Sequence, residues 1–487
     1  MTLTIQIPEN VNTILNTLKE HGFEGYAVGG CVRDAILSRE PGDWDITTSA
    51  RPEQVKALFR RTLDTGIQHG TVTVMFGKEG YEVTTYRMDG EYEDHRHPKE
   101  VQFTPNLVED LKRRDFTINA MAYSPETGLV DEFDGVGDLE RKCIRCVGTA
   151  TERFEEDALR MLRGVRFAGQ LQFDIEKDTL LAIREKAPTL VNVSAERIRT
   201  ELTKLLVSDG ADRLMVAAQT GLTKYFLPEF DIMLATPQNN PHHCFDVGNH
   251  SLEAVRHINE MWREAKANWE KNPERQPELT EKEHVMLVYA ALLHDVAKPD
   301  CMTTDDEGIN HFYMHNELGA DKAKKILRRL KFDNDTIDMV SRIIRYHDCR
   351  HENCYIDGQY STKGKKAMRR LMNRIGADAM PLLFMLQRAD LLAQSDYKRE
   401  EKLAKLSAGE RCYREILEAG EAVTIKDLAI GGREVMALGV KPGPQVGKIL
   451  HFLMELVLEN PEKNTVGELT REAERKIQSE SKEEAAE

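Results

Sequence analysis

The periodicity of this chain changes once, and that change constrains its fold more than any other feature. Up to about residue 150, "TVTVMFG" (71–77) and "YEVTTYR" (81–87) alternate as half-buried strands do, and the turn "KEG" between them makes a hairpin. "VQFT" (101–104) and "CIRCVG" (143–148) read as further short strands. Beyond 151 the apolar spacing becomes helical nearly to the end. In "SAERIRTELTKLLVS" the apolar positions are Ile198, Leu202, Leu205 and Leu206, with Ser194 at the N-cap. A chain that uses its strands first and its helices afterwards is α+β: a mixed sheet with helices, followed by all-α domains.

Length sets the scale. At 487 residues the chain is too long for one core and predicts about three domains or more. Linkers are expected at "ATPQNNPHH" (235–243) and "KNPERQPELTEKEH" (271–284). The resulting division is 1–150, 151–235, 236–400 and 401–487, the last ending in an acidic segment expected to fray or be disordered. The longest apolar run, Val285–Leu293, falls far short of the roughly 20 residues a membrane span needs. The N-terminus shows no basic region followed by an apolar core, so a cytoplasmic protein without a membrane partner is expected. Eight scattered cysteines suit a reducing compartment, and Cys143 and Cys146 read as strand residues because no second pair follows at zinc-binding spacing. The formal charge of −15 argues against a protein that coats nucleic acid, but leaves room for local basic surface in "LKRRDF" (111–116), "RMLRGVRF" (160–167) and "STKGKKAMRRLMNR" (361–374).

The stretch "GGCVRDAILSREPGDWDITT" (29–48) carries the first chemistry. The pair Gly29–Gly30 lets backbone amides approach an anion, and the helix that follows turns its positive end the same way. Arg33, one turn in, adds a charged fork for a triphosphate. Asp43 and Asp45 are two apart, so on a strand they share a face. Two such carboxylates ask for a cation, and Mg²⁺ shared with substrate phosphates is the usual one. Glu82 supplies a third acid if its strand lies alongside. "PGPQVGKIL" (442–450) is not a phosphate loop, since Pro442 stands where the first glycine should be; it reads as a helix start.

"YAVGGCVRD", "GDWDITT", "LKRRDFTINAMAY", "DEFDGVGDLERKCIRCVG" and "FEEDALRMLRGVRFAGQL" follow one another in an order that resembles the class II tRNA nucleotidyltransferases, the CCA-adding enzymes and poly(A) polymerases. The resemblance covers roughly residues 20–235. It implies a polymerase β-like head, a helical neck, and addition of CCA to tRNA 3′ ends from CTP and ATP with release of pyrophosphate. It implies metal ligation by Asp43 and Asp45, with Glu82 assisting. It also implies nucleotide contacts from Gly30, Arg33 and Arg114, with Asp115 and Asn119 bracing the loop.

Asp157 and Arg160 in "EDALR" are three apart and are expected to be neighbours on a helix. A carboxylate only accepts hydrogen bonds and a guanidinium only donates. Cytosine and adenine each offer an amine beside a ring-nitrogen acceptor; uracil and guanine offer the reverse. The pair would therefore take C and A and refuse U and G. Arg163 and Arg166 continue the stripe toward the nucleotide.

In the middle of the chain, His250, the pair His294–Asp295 and Asp390 resemble the H…HD…D ligand set of the HD phosphohydrolases. Imidazole with carboxylate suits a divalent metal, with His315 and His347 available for a second position. Lys298, four after His294, is expected on the same helical face, within reach of a phosphate.

Three readings follow. The first is a CCA-adding enzyme with an HD domain and an added phosphohydrolase activity. The second is a poly(A) polymerase, or an enzyme adding only CC or only A. The segment "MDGEYEDHRHPKEVQFT" (88–104) resembles the loop that complete CCA enzymes use to switch from C to A, which favours the first reading. The third is an HD phosphohydrolase with an RNA-binding front domain.

Overall fold

The computed structural model describes residues 4–89, 101–271 and 279–484. Residues 90–100, most of the segment 88–104 that resembles a C-to-A switching loop, lie outside them. The chain forms two compact units, one of residues 1–231 with 329–331, the other of 232–328 with 332–487.

The first unit begins with α1 (Glu9–Glu20), β1 (Gly25–Val28), α2 (Gly30–Ile36), β2 (Ile46–Thr48), α3 (Pro52–Leu58), β3 (Thr62–Gly66), β4 (Thr71–Phe76), β5 (Glu79–Thr85), β6 (Arg87–Asp89) and β7 (Val101–Phe103). It continues with α4 (Leu107–Lys112), β8 (Ala122–Ser124), β9 (Gly128–Val130) and α5 (Gly135–Glu140). Seven strands form one mixed sheet in the order β3-β4-β5-β2-β1-β8-β9. Within it β2 and β5 run parallel, with Ile46 opposite Val83. The β4–β5 hairpin is the expected one, but pairing of Phe76 with Glu79 leaves only Gly77 and Lys78 in the turn. Gly77 is left-handed there, so Glu79 and Gly80 belong to the strand.

Residues Val11, Ile14, Leu15 and Leu18 make one stripe of α1 at helical spacing. The stripe covers Ile46, Val72, Val74 and Val83 on one face of the sheet. A second core, Tyr26, Val28, Tyr86, Leu107, Leu111 and Ala122, includes two residues of α4.

Beyond the sheet lie β10 (Cys143–Ile144), α6 (Ala150–Glu156), α7 (Leu159–Leu171), β11 (Asp174–Ile175), α8 (Lys177–Lys186), α9 (Ala195–Leu206), α10 (Leu214–Thr220) and α11 (Pro228–Leu234). Only Cys143 and Ile144 of "CIRCVG" form a strand, paired in parallel with β11, while Cys146 makes an isolated bridge to Phe116. Burial pushes the Cys146 thiol up to about 12, so it is an inert core residue. On α9, Ile198, Leu202, Leu205 and Leu206 are buried as expected. Ser194 takes the N-cap position, but its side chain caps nothing. Helix α7 lies so close to residue 210 that a Cβ on Gly169 would stand 2.7 Å from the Gly210 carbonyl oxygen.

The second unit is largely helical: α12 (Val247–Glu270), α13 (Glu281–Leu293), α14 (Lys298–Cys301), α15 (His315–Arg329), α16 (Asn334–Tyr346), α17 (Lys365–Ile375), α18 (Met380–Ala393), α19 (Arg399–Glu418), α20 (Gly432–Ala437), α21 (Pro444–Glu459) and α22 (Val466–Glu484). It is not purely α. Two short antiparallel pairs interrupt it, β12 (Met302–Thr304) with β13 (Asn310–Phe312) and β14 (Tyr355–Ile356) with β15 (Gln359–Tyr360). Thr280 and Glu283 form a capping box that starts α13. This helix is buried almost all round, and the segment "VMLVYAALL" is a core helix.

Pro444 opens α21, as expected of that segment. The acidic C-terminal run is helical to Glu484, one of the two forms expected of it. Leu469, Ala473 and Ile477, four apart, give α22 an apolar stripe packed with Ile449, Leu453 and Val457 of α21, hidden in the sequence among the charges.

Candidate active site and metal centre

Asp43 and Asp45 do not lie on a strand; they occupy the extended segment that leads into β2. The Asp45 carbonyl nevertheless accepts a hydrogen bond from Val28 N–H (2.9 Å), which pins the segment beside β1. Because β2 and β5 are parallel with Ile46 opposite Val83, Glu82 falls next to Asp45. Burial raises the Asp45 carboxyl, Arg114 lowers it and Asp43 raises it. Glu82 is raised by burial and then by Asp45 and Asp43. The three carboxylates thus repel one another in a single patch, with Arg114 as the cation acting on Asp45. An all-oxygen donor set of this kind fits a hard divalent cation.

Gly29 precedes α2 with φ of 82°, a conformation that suits glycine. A Cβ there would also stand 2.9 Å from Arg114 Nη1. Gly30 is the first residue of α2. Arg33 is buried, and its guanidinium is already committed. Nε and Nη2 donate to the two oxygens of Asp34 (both 2.9 Å), and Nη1 donates to Asn119 Oδ1 (2.7 Å). Asn119 Nδ2 donates to Asp115 Oδ1 (3.1 Å), and Asp115 Oδ2 receives Arg163 (2.7 and 2.8 Å). Beneath this relay, Arg33, Arg163 and Arg166 surround the ring of Phe167 at 5.1, 5.4 and 3.9 Å. Arg166 is buried, with Nε donating to Glu201 and Nη1 to Gln170 Oε1 (2.6 Å).

Asp157 and Arg160 do not form the expected helical pair. Asp157 has extended backbone (φ −145°, ψ 104°) and separates α6 from α7. Its Oδ1 caps Leu159 N–H (3.1 Å), and both oxygens receive Arg197 of α9 (3.2 and 2.7 Å). Arg160 is held instead by Glu156 (2.6 Å) and the Arg113 carbonyl (3.0 Å). Both residues line one cavity of about 240 Å³ with Arg113, Arg114, Asp115, Leu159, Arg163 and Arg197. Five arginines against two aspartates give the cavity a positive lining, although Arg113, Arg160, Arg163 and Arg197 are paired with Asp110, Glu156, Asp115 and Asp157. Arg114 Nε is buried there and has no hydrogen-bond partner among the described residues. Arg166 is not part of the lining.

The second centre lies in the helical unit. His250 is on α12, His294 and Asp295 follow the end of α13, and Asp390 is on α18. The Nδ1 atoms of His294, His315 and His347 face the carbonyls of Ala291, Phe312 and Ile344 at 2.7–2.8 Å, and that of His250 faces Ala393 O at 3.3 Å. Such carbonyls hold a proton on Nδ1, so that each ring, when it is neutral, keeps its lone pair on Nε2, the second-shell arrangement of metal-ligating histidines. The four Nε2 atoms converge: His250 and His294 are 3.3 Å apart, as are His315 and His347. Asp390 Oδ1 lies 2.9 Å from His250 Nε2.

Asp295 lies between the two imidazole pairs. Its Oδ2 is 3.1 Å from His294 and its Oδ1 is 3.5 Å from His315. Both oxygens are buried without a hydrogen bond, although Lys298 Nζ stands 2.7 Å from Oδ2. Burial works against ionisation of Asp295, but His294 and Lys298 hold its carboxyl well below the usual range. Two ligand groups result, His250–His294–Asp295 and Asp295–His315–His347, which share Asp295. Converging lone pairs around orphaned carboxylate oxygens fit divalent metal.

Lys298 does not share a helical face with His294, because residues 294–297 form a turn. It is buried against Asp295 and Gln238 Oε1 (2.7 Å). The expected linker 235–243 is therefore also a wall of the centre: Gln238 meets Lys298, and the His243 ring packs on His250 at 4.9 Å. The adjoining cavity, about 770 Å³, is lined by Asp295, His315, His347, Asp348, Asp390 and Lys402 among others.

Sequence reasoning missed Arg197, Glu156, Gln238 and Gln387. Arg197 stands in "ERIRTEL" as one charge among several, and only the packing of α9 on α7 reveals its partner. No helix among the described residues is long and apolar enough to cross a membrane.

Three family models match the chain. Residues 25–145 match the poly A polymerase head domain, 172–234 the probable RNA and SrmB-binding site of polymerase A, and 247–392 the HD domain. The CCA-adding enzyme of Lactobacillus delbrueckii subsp. bulgaricus is 52% identical over 212 residues, 43% of this chain and 54% of its own. That of Bacillus licheniformis is 51% identical over 219 residues, 45% of this chain and 55% of its own. The chain thus spans about half the length of the curated relatives it matches. The crystal structure of Bacillus stearothermophilus CCA-adding enzyme in complex with CTP aligns over 98% of this chain and 100% of that one, with a TM-score of 0.68 and 28% identity. Thermotoga maritima CCA-adding enzyme complexed with tRNA shares the fold at 19% identity, with a TM-score of 0.53 over 97% of this chain and 96% of that one. With its head, RNA-binding neck and HD domain in this order, the chain belongs to the class II tRNA nucleotidyltransferase family of CCA-adding enzymes and poly(A) polymerases.

Proposed function

We propose that this protein adds the CCA sequence to the 3′ end of tRNA, using CTP and ATP and releasing pyrophosphate, as a cytoplasmic enzyme. The carrying observation is Arg114. It is the cation acting on Asp45 in the carboxylate patch, and it also lines the arginine-rich cavity of Asp157 and Arg160. One residue therefore adjoins both the place for metal and phosphate and the place for a base. The relatives named above as CCA-adding enzymes, with structures carrying CTP or tRNA, support the same reading.

Asp43 and Asp45, with Glu82, would hold Mg²⁺. When bound, the ion lowers the pKa of the RNA 3′-hydroxyl and neutralises charge on the α-phosphate. Arg114 balances the triphosphate, with the Gly29–Gly30 backbone alongside. Asp157 accepts from the exocyclic amine of C or A, and Arg160 donates to the adjacent ring nitrogen. Arg33, Arg163 and Arg166 serve the nucleotide by fixing Asn119, Asp115 and Phe167 beneath it. Positioning and charge supply most of the rate in such transfers. The division of labour follows the segments 1–150 for catalysis, 151–235 for base selection and RNA, 236–400 for the HD centre and 401–487 for the helical tail.

The test is incubation of tRNA lacking its 3′ CCA with each labelled nucleotide, followed by sequencing of the products. CCA on every extended end supports the proposal. A run of A, or products ending only in CC or gaining only A, would support the poly(A) polymerase or partial enzyme.

A second reading concerns the HD centre alone. Four converging imidazoles and two carboxylates favour a metal-dependent phosphohydrolase acting on small 2′- or cyclic-phosphate compounds. Asp295 is the ligand common to both metal positions. Hydrolysis of such compounds by the metal-loaded wild type, lost in His294→Ala, tests it.

A further inference from the structure

We infer that the cavity beside the HD centre holds a second phosphate on Lys398 and Lys402, at the start of α19, so that its substrate is a nucleotide bearing a 5′-phosphate besides the 2′-phosphate that is cleaved. The inference rests on the phosphohydrolase reading proposed above for that centre.

Lys398, Lys402 and Lys405 follow one another at spacings of four and three, which puts them on one face of the helix. All three line the cavity of about 770 Å³ together with Asp295, His315, His347 and Asp390. Lys405 is answered by Glu401 at 2.9 Å. Lys402 has no such answer: its Nζ donates to a neutral atom, Gln394 Oε1 (2.7 Å). Gln394 Nε2 in turn donates to both oxygens of Asp390 (3.2 Å each). Burial disfavours the Lys402 ammonium; Asp390 favours it, but Arg399 and Lys398 work against it again. Lys398 Nζ stands 5.5 Å from the Tyr397 ring. Among the described residues neither Lys398 nor Lys402 forms an ion pair. Two neighbouring ammonium groups without a carboxylate, facing one cavity, make a site for an anion.

The place of that anion follows from Gln394. Its side chain stands between Lys402 and Asp390, so the second phosphate lies a side chain's breadth from the one cleaved. On a nucleoside a 3′-phosphate adjoins the 2′-oxygen, whereas a 5′-phosphate lies across the ribose and has that separation. Tyr313 gives the same cavity a flat face for the base: it is 72% exposed and stacks on His311 with an angle of 8° between the rings. The cavity is also of the size that takes a nucleotide. In the reaction a water oxygen bonds to the 2′-phosphorus, the bond from phosphorus to the 2′-oxygen breaks, and the 2′-oxygen takes the proton that water gives up. Inorganic phosphate leaves, and the nucleoside 5′-phosphate remains on the lysines.

The experiment compares hydrolysis of uridine 2′-phosphate and uridine 2′,5′-bisphosphate by the Mn²⁺-loaded full chain, for wild type, Lys398→Met, Lys402→Met, the double variant and Lys402→Arg, with circular dichroism as the fold control. Wild type should prefer the bisphosphate by about ten-fold or more in kcat/KM, through a lower KM, as a charge-assisted contact to one phosphate gives. Each Lys→Met variant should lose part of that preference and the double variant nearly all of it, while Lys402→Arg keeps most. Equilibrium dialysis of the metal-free full chain with uridine 5′-phosphate and with uridine is the second readout. Wild type should bind the phosphate compound more tightly, and the double variant should lose that difference. A uniform loss on both substrates would show that Lys402 acts only through Gln394 on Asp390, and overturns the inference. So does a wild type that hydrolyses both compounds equally, which leaves the phosphohydrolase reading standing, or a folded double variant with an unchanged preference. If wild type hydrolyses neither compound, the phosphohydrolase reading fails, and the dialysis alone decides the phosphate site.

Discussion

The Asp115 carboxylate accepts two hydrogen bonds from Arg163, at 2.8 and 2.7 Å, across 48 residues of sequence. This pair ties the loop after α4 to helix α7, and through Asn119 it reaches Arg33 on α2. Burial works against ionisation of Asp115, but Arg163 and Arg160 hold its carboxyl far below the usual range. Its stabilising contribution is therefore complete above the ordinary carboxylate pKa of about 4 and is lost as pH falls below it.

Asp115→Ala should destabilise the first unit by roughly 2 kcal/mol, less than the roughly 3–5 kcal/mol of breaking a fully buried pair, because Arg163 keeps some access to water. Thermal denaturation at pH 7 checks this. The difference between variant and wild type should shrink in acid below pH 4. A variant as stable as wild type at pH 7 would show that the pair is only a surface contact.

The HD centre should bind two divalent ions per chain, one for each ligand group. His315→Ala should reduce the count to about one, because it leaves His250, His294 and Asp295 intact. Gln387 gives a subtler test. Its amide donates to the carbonyls of His347 and Cys349 (both 2.9 Å), and its oxygen faces His351 Nε2 at 3.0 Å. It fixes the turn that carries His347 without touching the proposed metal. Gln387→Leu should weaken metal binding by about 10- to 100-fold, as loss of an outer-shell partner does elsewhere. Metal analysis after dialysis against Mn²⁺ reads both effects, and nucleotide addition should be unaffected. A wild type that retains no metal would make the centre structural.

His284 gives the second unit a pH dependence of its own. It stacks on Trp262 at 4.6 Å and meets Asn259 Oδ1 at 2.7 Å. Burial pushes its pKa down to about 4. Folded protein thus keeps His284 neutral where the unfolded chain, near 6.5, has protonated it. The stability is present above pH 6.5 and is lost as pH falls toward 4, by at most about 3 kcal/mol. Urea unfolding followed by tryptophan fluorescence at pH 7 and pH 5 measures it. His284→Gln should flatten the dependence; an equal slope in the variant would place its origin elsewhere.

Local chemistry was legible in the sequence and long-range partnership was not. Gly29, Asp43 and Asp45 declare themselves within one short stretch, and His294–Asp295 follows a core helix that is apolar over nine residues. The amphipathic stripe of α9 could be read from spacing alone. By contrast, Arg33 reaches Asn119 with its remaining donor and Asp157 is held by Arg197, 86 and 40 residues away. Spacing made Asp157 and Arg160 a helical pair, but the helix breaks at Asp157, where the side chain is captured from α9. Lys298 failed similarly, because the turn after α13 rotates it away from the face that a continuous helix would give. In the helical tail, charge composition hid the stripe of three apolar residues four apart that packs α22 on α21.

Nucleotide addition by Asp43→Ala and Asp45→Ala tests the central claim most directly. Each variant removes one carboxylate of the patch that lies beside Arg114 and Glu82, and neither carboxylate supports the sheet core. The measurement is the rate of labelled CTP and ATP incorporation into tRNA lacking CCA, with tRNA binding and circular dichroism measured on the same preparations. Both variants should fold, bind tRNA about as well as wild type, and add no nucleotide. Incorporation at about a tenth of the wild-type rate or better in either folded variant would contradict the account, because a loss of only ten-fold is less than removal of one charge-stabilising group ordinarily costs.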